Sequence, residues 1–199
     1  QETGRAGRDG GEGKCVAFYS PKDLIKLKKF MEGKPVAEQD IGNQLLAETK
    51  AYVESSVCRR RLLLHYFGEH YGEENCHRCD NCLHPHEYIE ATKEILKVLK
   101  VIQAIKGKFK IDHVVNIMMG VESEEITSHC HEQLPEFATG ASKEPQYWYA
   151  LIKQGILSGY IEKEVENYGL LKVTKAGKKF MTTPEPFYFK ENNEFGDYE

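Results

Sequence analysis

The chain has 199 residues, 40% of them hydrophobic, which is enough apolar material to bury a core and excludes a disordered chain. It has no apolar run of membrane-spanning length and no visible signal peptide, so a cytoplasmic protein without a membrane partner is expected. The net charge of -4 argues against a uniformly basic nucleic-acid-binding surface. The charge is unevenly spread, however. Acid gathers at 122–125 and after Lys190, while lysines and arginines gather at 59–61, 106–110 and 172–179.

In chain order, residues 1–13 are glycine-rich and carry Arg5 and Arg8, three apart. Such a stretch suits either a linker with incidental charges or a loop that approaches phosphate. The apolar run 15–19 holds Cys15, expected to be a small buried hydrophobe. Ser20 and Pro21 begin a helix with the stripe Leu24, Leu27, Met31, and Gly33 ends it. A second helix is expected from about Ile41 to Phe67, with Cys58 projecting from it and Gly68 as its stop.

Cys76, Cys79 and Cys82 then repeat at Cys-x-x-Cys spacing. With Cys58 they form a set of four soft ligands suited to tetrahedral zinc, whereas three disulfides would require a secreted chain. Four thiolates leave no open position for water, so such a site is structural. The neighbouring His65, His70, His77, His84 and His86 are expected on the surface.

Pro85 marks a junction. Ile95, Val98, Leu99, Ile102 and Ile105 predict an amphipathic helix closed by Gly107. Residues 108–111 alternate like a short strand, Asp112 is a candidate cap, and the next helix ends at Gly120. The acidic stretch 123–134 is expected to be a loop with a helical turn or two, and its His129-Cys130-His131 run is a poor chelate. Pro145 begins a helix with the inner stripe Trp148, Leu151, Ile152, Ile156 and the outer residues Ser142, Lys143, Gln146, Tyr147, Tyr149 and Lys153. A hairpin around 166–169 follows, then a short helix capped by Thr174, then a poorly ordered tail.

This order is that of a winged helix, and the expected class is mainly α with small β (α+β). The second helix of such a pair presents its N-terminal residues to DNA. Ser142, Lys143, Gln146, Tyr147, Lys153, Asn167 and Tyr168 are the candidate contacts. Tyr168, near the hairpin tip, would either pack on its own hairpin or stack on an end base pair.

Three stretches resemble the RecQ family of DNA helicases. Residues 1–10, Gln-Glu-Thr-Gly-Arg-Ala-Gly-Arg-Asp-Gly, resemble helicase motif VI in its RecQ form. The Cys58-Arg59-Arg60, Tyr66-Phe67-Gly68-Glu69 and Cys76 to Cys82 pattern resembles the family's zinc-binding subdomain. The winged helix resembles the family's RQC domain, in the short-hairpin form of bacterial members. The resemblance implies Arg8 as the arginine finger for ATP hydrolysis and Arg5 as the residue that helps couple the nucleotide and DNA sites. It also implies structural Zn2+ at the four cysteines, with ATP and Mg2+ bound only by the full-length parent.

The implied layout is 1–19, end of the second RecA-like domain, with 15–19 its last strand; 20–84, zinc-binding subdomain; 85–183, RQC winged helix; 184–199, flexible tail. The chain starts inside a motif without a Met, so a fragment of a longer protein is expected, its missing helicase core a partner. The implied function is 3′ to 5′ unwinding in DNA repair, recombination and replication, near the nucleoid, on double-stranded DNA and duplex/single-strand junctions. The chain has no Walker A motif, so it is expected neither to hydrolyse ATP nor to unwind DNA alone. A stand-alone zinc and winged-helix regulator is the alternative, and residues 1–10 speak against it.

Overall fold

The computed structural model describes residues 10–164 and 169–195. They fall into two compact units, one ending at Glu54 and including Glu194 and Phe195, the other Ser55–Asn193.

In the first unit, Ser20 caps α1 (Pro21–Lys29), its Oγ accepting from the Lys22 N–H at 3.3 Å. Helix α2 (Val36–Glu54) packs on α1, and Met31 fills the space that a Cβ on Gly42 would need. The Tyr19 hydroxyl donates to Glu54 Oε1 at 2.8 Å. No strand runs through 15–19, contrary to expectation, and Cys15 is exposed rather than buried. A strand needs a neighbour to satisfy its backbone, and the sheets among the described residues form elsewhere.

The second unit opens where the expected helix 41–67 breaks. Helix α2 stops at Glu54, and α3 (Arg59–Tyr66) begins only after Cys58, its N-cap residue. The break has a tertiary cause. The Asn81 side-chain amide donates to the carbonyls of Ser55 and Val57, each at 2.7 Å, and takes acceptors that a continuous helix would use itself. Cys58 therefore stands at the N-cap position of α3 instead of projecting from a helix interior. The short helix α4 (Asp80–Leu83) carries Asn81 and Cys82.

Strand β1 (Ile89–Glu90) leads into α5 (Thr92–Ala104), α6 (Ile111–Met119), α7 (Glu124–Ser128) and a 3-10 turn, His131–Gln133. Helix α8 (Pro145–Leu157) follows, then the wing strands β2 (Ile161–Glu164) and β3 (Leu170–Val173), α9 (Lys175–Thr182) and β4 (Tyr188–Phe189). Strands β2 and β3 pair antiparallel, Ile161 opposite Val173 and Glu164 opposite Leu170.

The core lies between α5, α6 and α8. Ile95, Leu99, Ile102, Ile117, Trp148 and Leu151 are among its fully buried side chains. The Trp148 indole N–H donates to the Gly140 carbonyl at 3.0 Å, and a Cβ on Gly140 would strike the indole ring. Gly120, at φ 71, supplies the left-handed residue that ends α6. Thr174 caps α9 through the Gly177 N–H at 3.0 Å. The arrangement is a winged helix of mixed, mainly helical class.

Three local readings change. Residues 108–111 form no strand; the Leu171 N–H donates to the Phe109 carbonyl at 3.0 Å, a single link to the base of the wing. Lys110, not Asp112, is the N-cap of α6, and Asp112 instead accepts from the Tyr149 hydroxyl at 2.7 Å. The tail expected to be flexible is structured through its first half. Strand β4 pairs antiparallel with β1, and Phe187 and Phe189 are buried in the core. The Phe187 N–H donates to Thr92 Oγ1 at 2.8 Å. Burial of the two phenylalanines outweighs the conformational entropy of this proline-broken segment.

Candidate metal centre and nucleic-acid face

The sulfur atoms of Cys58, Cys76, Cys79 and Cys82 all lie within 4.8 Å of one another. Zn–S bonds of about 2.3 Å in a tetrahedron require S···S edges of roughly 3.8 Å, which this envelope accommodates. The local fold explains the convergence. Cys58 and Cys79 stand at the N-caps of α3 and α4. Cys76 and Cys79 flank a turn in which His77 adopts φ 56, its N–H held by Asn75 Oδ1 at 2.6 Å. Cys82 lies within α4.

Backbone N–H groups surround the sulfurs. Arg59 donates to Cys79 Sγ, Cys76 to Cys82 Sγ and Cys79 to Cys76 Sγ, each at 3.4 Å. Such donors spread thiolate charge around a bound cation. Burial raises the Cys76 thiol, but the amides of Arg78 and Cys79 and the adjacent thiols outweigh it and bring it down to about 6. Burial pushes Cys82 up to about 12. Thiols so close together ionise together only if a cation neutralises them, and no ligand position is left for water. His65, His70, His77, His84 and His86 are all exposed, as expected. The four cysteines form the one such cluster among the described residues, and His129-Cys130-His131 adds none.

Residues between and beside the ligands lock the site, in roles the sequence did not reveal. Arg59 meets Asp80 in a bidentate pair, Nε to Oδ1 at 3.0 Å and Nη2 to Oδ2 at 2.9 Å. The hydrogen bond from Arg59 holds the Asp80 carboxyl below its usual range. The pair joins the residue after Cys58 to the residue after Cys79 and so aims two ligands at one point. Asn81 is buried and bridges the helix break, while Asn193 Nδ2 donates to Asn81 Oδ1 at 3.0 Å and to the Ser55 carbonyl at 2.9 Å.

Asn81→Ala is expected to cost about 1–3 kcal/mol, because the Val57 carbonyl loses its donor in a dry site. Asn81→Asp, with matching size and no amide donor, should cost at least as much. Urea unfolding midpoints check both, and an unchanged Asn81→Asp midpoint would refute the bridging role.

Of the candidate DNA contacts, Ser142, Lys143 and Gln146 are exposed around the N-terminus of α8. Lys153 lies seven positions beyond Gln146 on the same helical stripe, partly exposed. Tyr147 is not on this face. It is 6% exposed, its ring edge-on to Phe189 at 4.9 Å, because β4 covers that side of α8. Lys143 instead lies over the Tyr147 ring at 5.0 Å. Asn167 and Tyr168 in the wing, and Arg5 and Arg8 in the motif VI stretch, lie outside the described residues.

Comparison with known proteins agrees with this geometry. The pattern of the RQC domain family matches residues 85–196, and that of the RecQ zinc-binding family matches residues 21–83. The ATP-dependent DNA helicase RecQ of Pasteurella multocida is 34% identical over 188 residues, 94% of this chain and 30% of the relative. The protein of the same name from Haemophilus influenzae is 32% identical over 188 residues, with the same coverage. That from Bacillus subtilis is 29% identical over 141 residues, 69% of this chain and 23% of the relative. The chain thus spans less than a third of the length of these relatives. It belongs to the RQC domain family, as a RecQ C-terminal region in which a RecQ zinc-binding domain precedes the RQC winged helix.

Proposed function

We propose that this chain is the DNA-gripping region of a bacterial-type, ATP-dependent 3′ to 5′ RecQ helicase acting in DNA repair, recombination and replication. The observation that carries the reading is the joining, within one compact unit, of a four-cysteine site to a winged helix whose α8 N-terminus is exposed. Zn2+, held by Cys58, Cys76, Cys79 and Cys82, is structural: it ties α3 to α4 and takes no part in chemistry. Ser142, Lys143, Gln146 and Lys153, with Asn167 and Tyr168 in the wing, contact double-stranded DNA at duplex/single-strand junctions. They meet phosphates rather than read bases, as suits an enzyme that travels along any sequence.

ATP and Mg2+ bind the motor of the full-length parent, to which Arg8 contributes the finger and Arg5 the coupling contact. Alone, this region binds DNA without hydrolysing ATP. Its place of action is the cytoplasm, at the nucleoid.

Charge reversal tests the DNA face. Lys143→Glu with Lys153→Glu is expected to weaken binding to a blunt duplex about tenfold or more near 0.1 M salt. It should also flatten the slope of log affinity against log salt by about 1 per lost phosphate contact. Fluorescence anisotropy across a salt series measures both. Unchanged affinity and slope would remove the face from the proposal.

A further inference from the structure

A cleft lies at the C-terminal end of α8, where the zinc-bearing segment meets the β1–β4 ribbon. It encloses about 100 Å³, and Arg61, Glu74, Tyr88, Leu157, Tyr188 and Lys190 are among its lining residues. Two tyrosine rings line it, Tyr88 54% and Tyr188 53% exposed. The ribbon dictates this. Ile89 and Phe189 pair across it and turn inward, so the flanking Tyr88, Tyr188 and Lys190 turn outward.

The platform is braced. Tyr88 donates its hydroxyl to Glu74 Oε2 at 3.1 Å, and Lys190 Nζ rests over the Tyr88 ring at 4.4 Å. The Gln154 side chain clamps the Lys190 backbone, donating to its carbonyl at 2.6 Å and accepting its N–H at 2.9 Å. Two half-exposed tyrosine rings on one ribbon, one of them capped on one face by Lys190 and both beside Arg61 in the same cleft, are not a hydrophobic core. They are the components of a stacking platform for unpaired bases.

We propose that this cleft holds a nucleotide of single-stranded DNA, its base stacked on Tyr88 and Tyr188 and its phosphate met by Arg61 and Lys190. Glu74 repels phosphate and accepts from base N–H groups, so the base rather than the backbone lies against it. The cleft, at about 100 Å³, is comparable in size with a single base and far smaller than a duplex. Helix α8, 13 residues long, separates it by about 20 Å from the duplex face at the helix N-terminus. The inference rests on the DNA-binding reading above and adds a second, single-strand contact to it.

The test uses the whole chain, zinc-loaded, with a fluorescein-labelled oligothymidylate of about a dozen nucleotides and a blunt duplex, read by anisotropy. Tyr88→Ala with Tyr188→Ala is expected to lower single-strand affinity about tenfold or more while duplex affinity stays unchanged. Tyr88→Phe with Tyr188→Phe, which keeps both rings, should retain single-strand binding. Unchanged single-strand affinity in the alanine pair, or an equal loss of duplex binding, overturns the proposal. A wild-type chain that binds duplex but not single strand overturns the cleft alone; one that binds neither overturns the DNA-binding reading with it.

Discussion

Cys79→Ala is expected to release zinc and unfold the segment from Ser55 to the end of α4. The sulfur it removes accepts the Arg59 N–H at 3.4 Å and stands between both helices that the site joins. Structural zinc contributes on the order of 10–16 kcal/mol of apparent binding energy at neutral pH in small zinc domains. A whole domain is stable by only about 5–15 kcal/mol, so the metal-bearing segment cannot hold its fold without it. The loss should spread, because Asn193 ties the C-terminal strand region to Ser55 and Asn81.

The expected readings are loss of the bound zinc equivalent, protease sensitivity between residues 55 and 84, and weaker duplex binding. A strong chelator should reproduce all three in the wild-type chain. Retention falls as pH drops, since the ligands bind as thiolates and protons compete with the metal. Full zinc content and an unshifted unfolding midpoint in Cys79→Ala would overturn the assignment.

Phe189→Ala is expected to destabilise the winged helix by about 3–5 kcal/mol, the usual cost of removing a buried aromatic ring from a packed core. Phe189 is wholly buried, edge-on to Tyr147, and pairs with Ile89 across the ribbon. In a domain of this size such a loss lowers the thermal midpoint by roughly 10–20 °C. The adjacent substitution Tyr188→Ala removes a ring that is 53% exposed and should leave the midpoint nearly unchanged. Calorimetry on the two variants decides whether the segment after Pro184 is part of the domain. Equal midpoints for Phe189→Ala and the wild-type chain would show that it is not.

The sequence alone determined what depends on nearby residues. Cys-x-x-Cys spacing set three ligands on one loop, and the structure brings Cys58 to them. Ser20 and Thr174 cap helices because a hydroxyl reaches an N–H two or three residues on, and Gly120 ends α6 because it tolerates positive φ. The periodic stripes of α5 and α8 marked the core, and the helix–hairpin order marked the winged helix.

Tertiary structure decided what depends on distant partners. The helix break at Ser55 is made by Asn81, 26 positions away, and Phe187 is fixed by Thr92, 95 positions away. The partner of β4 is β1, at the opposite end of the winged-helix sequence, and the aromatic run Phe187-Tyr188-Phe189 does not by itself say which distant strand it pairs with. That pairing buries Tyr147, which periodicity placed outside, and leaves Tyr88 and Tyr188 facing water beside Lys190. Hydrogen-bond reach along the chain is a few residues, whereas burial is a property of the assembled fold. For this reason the zinc ligands could be read from spacing, and the cleft beside them could not.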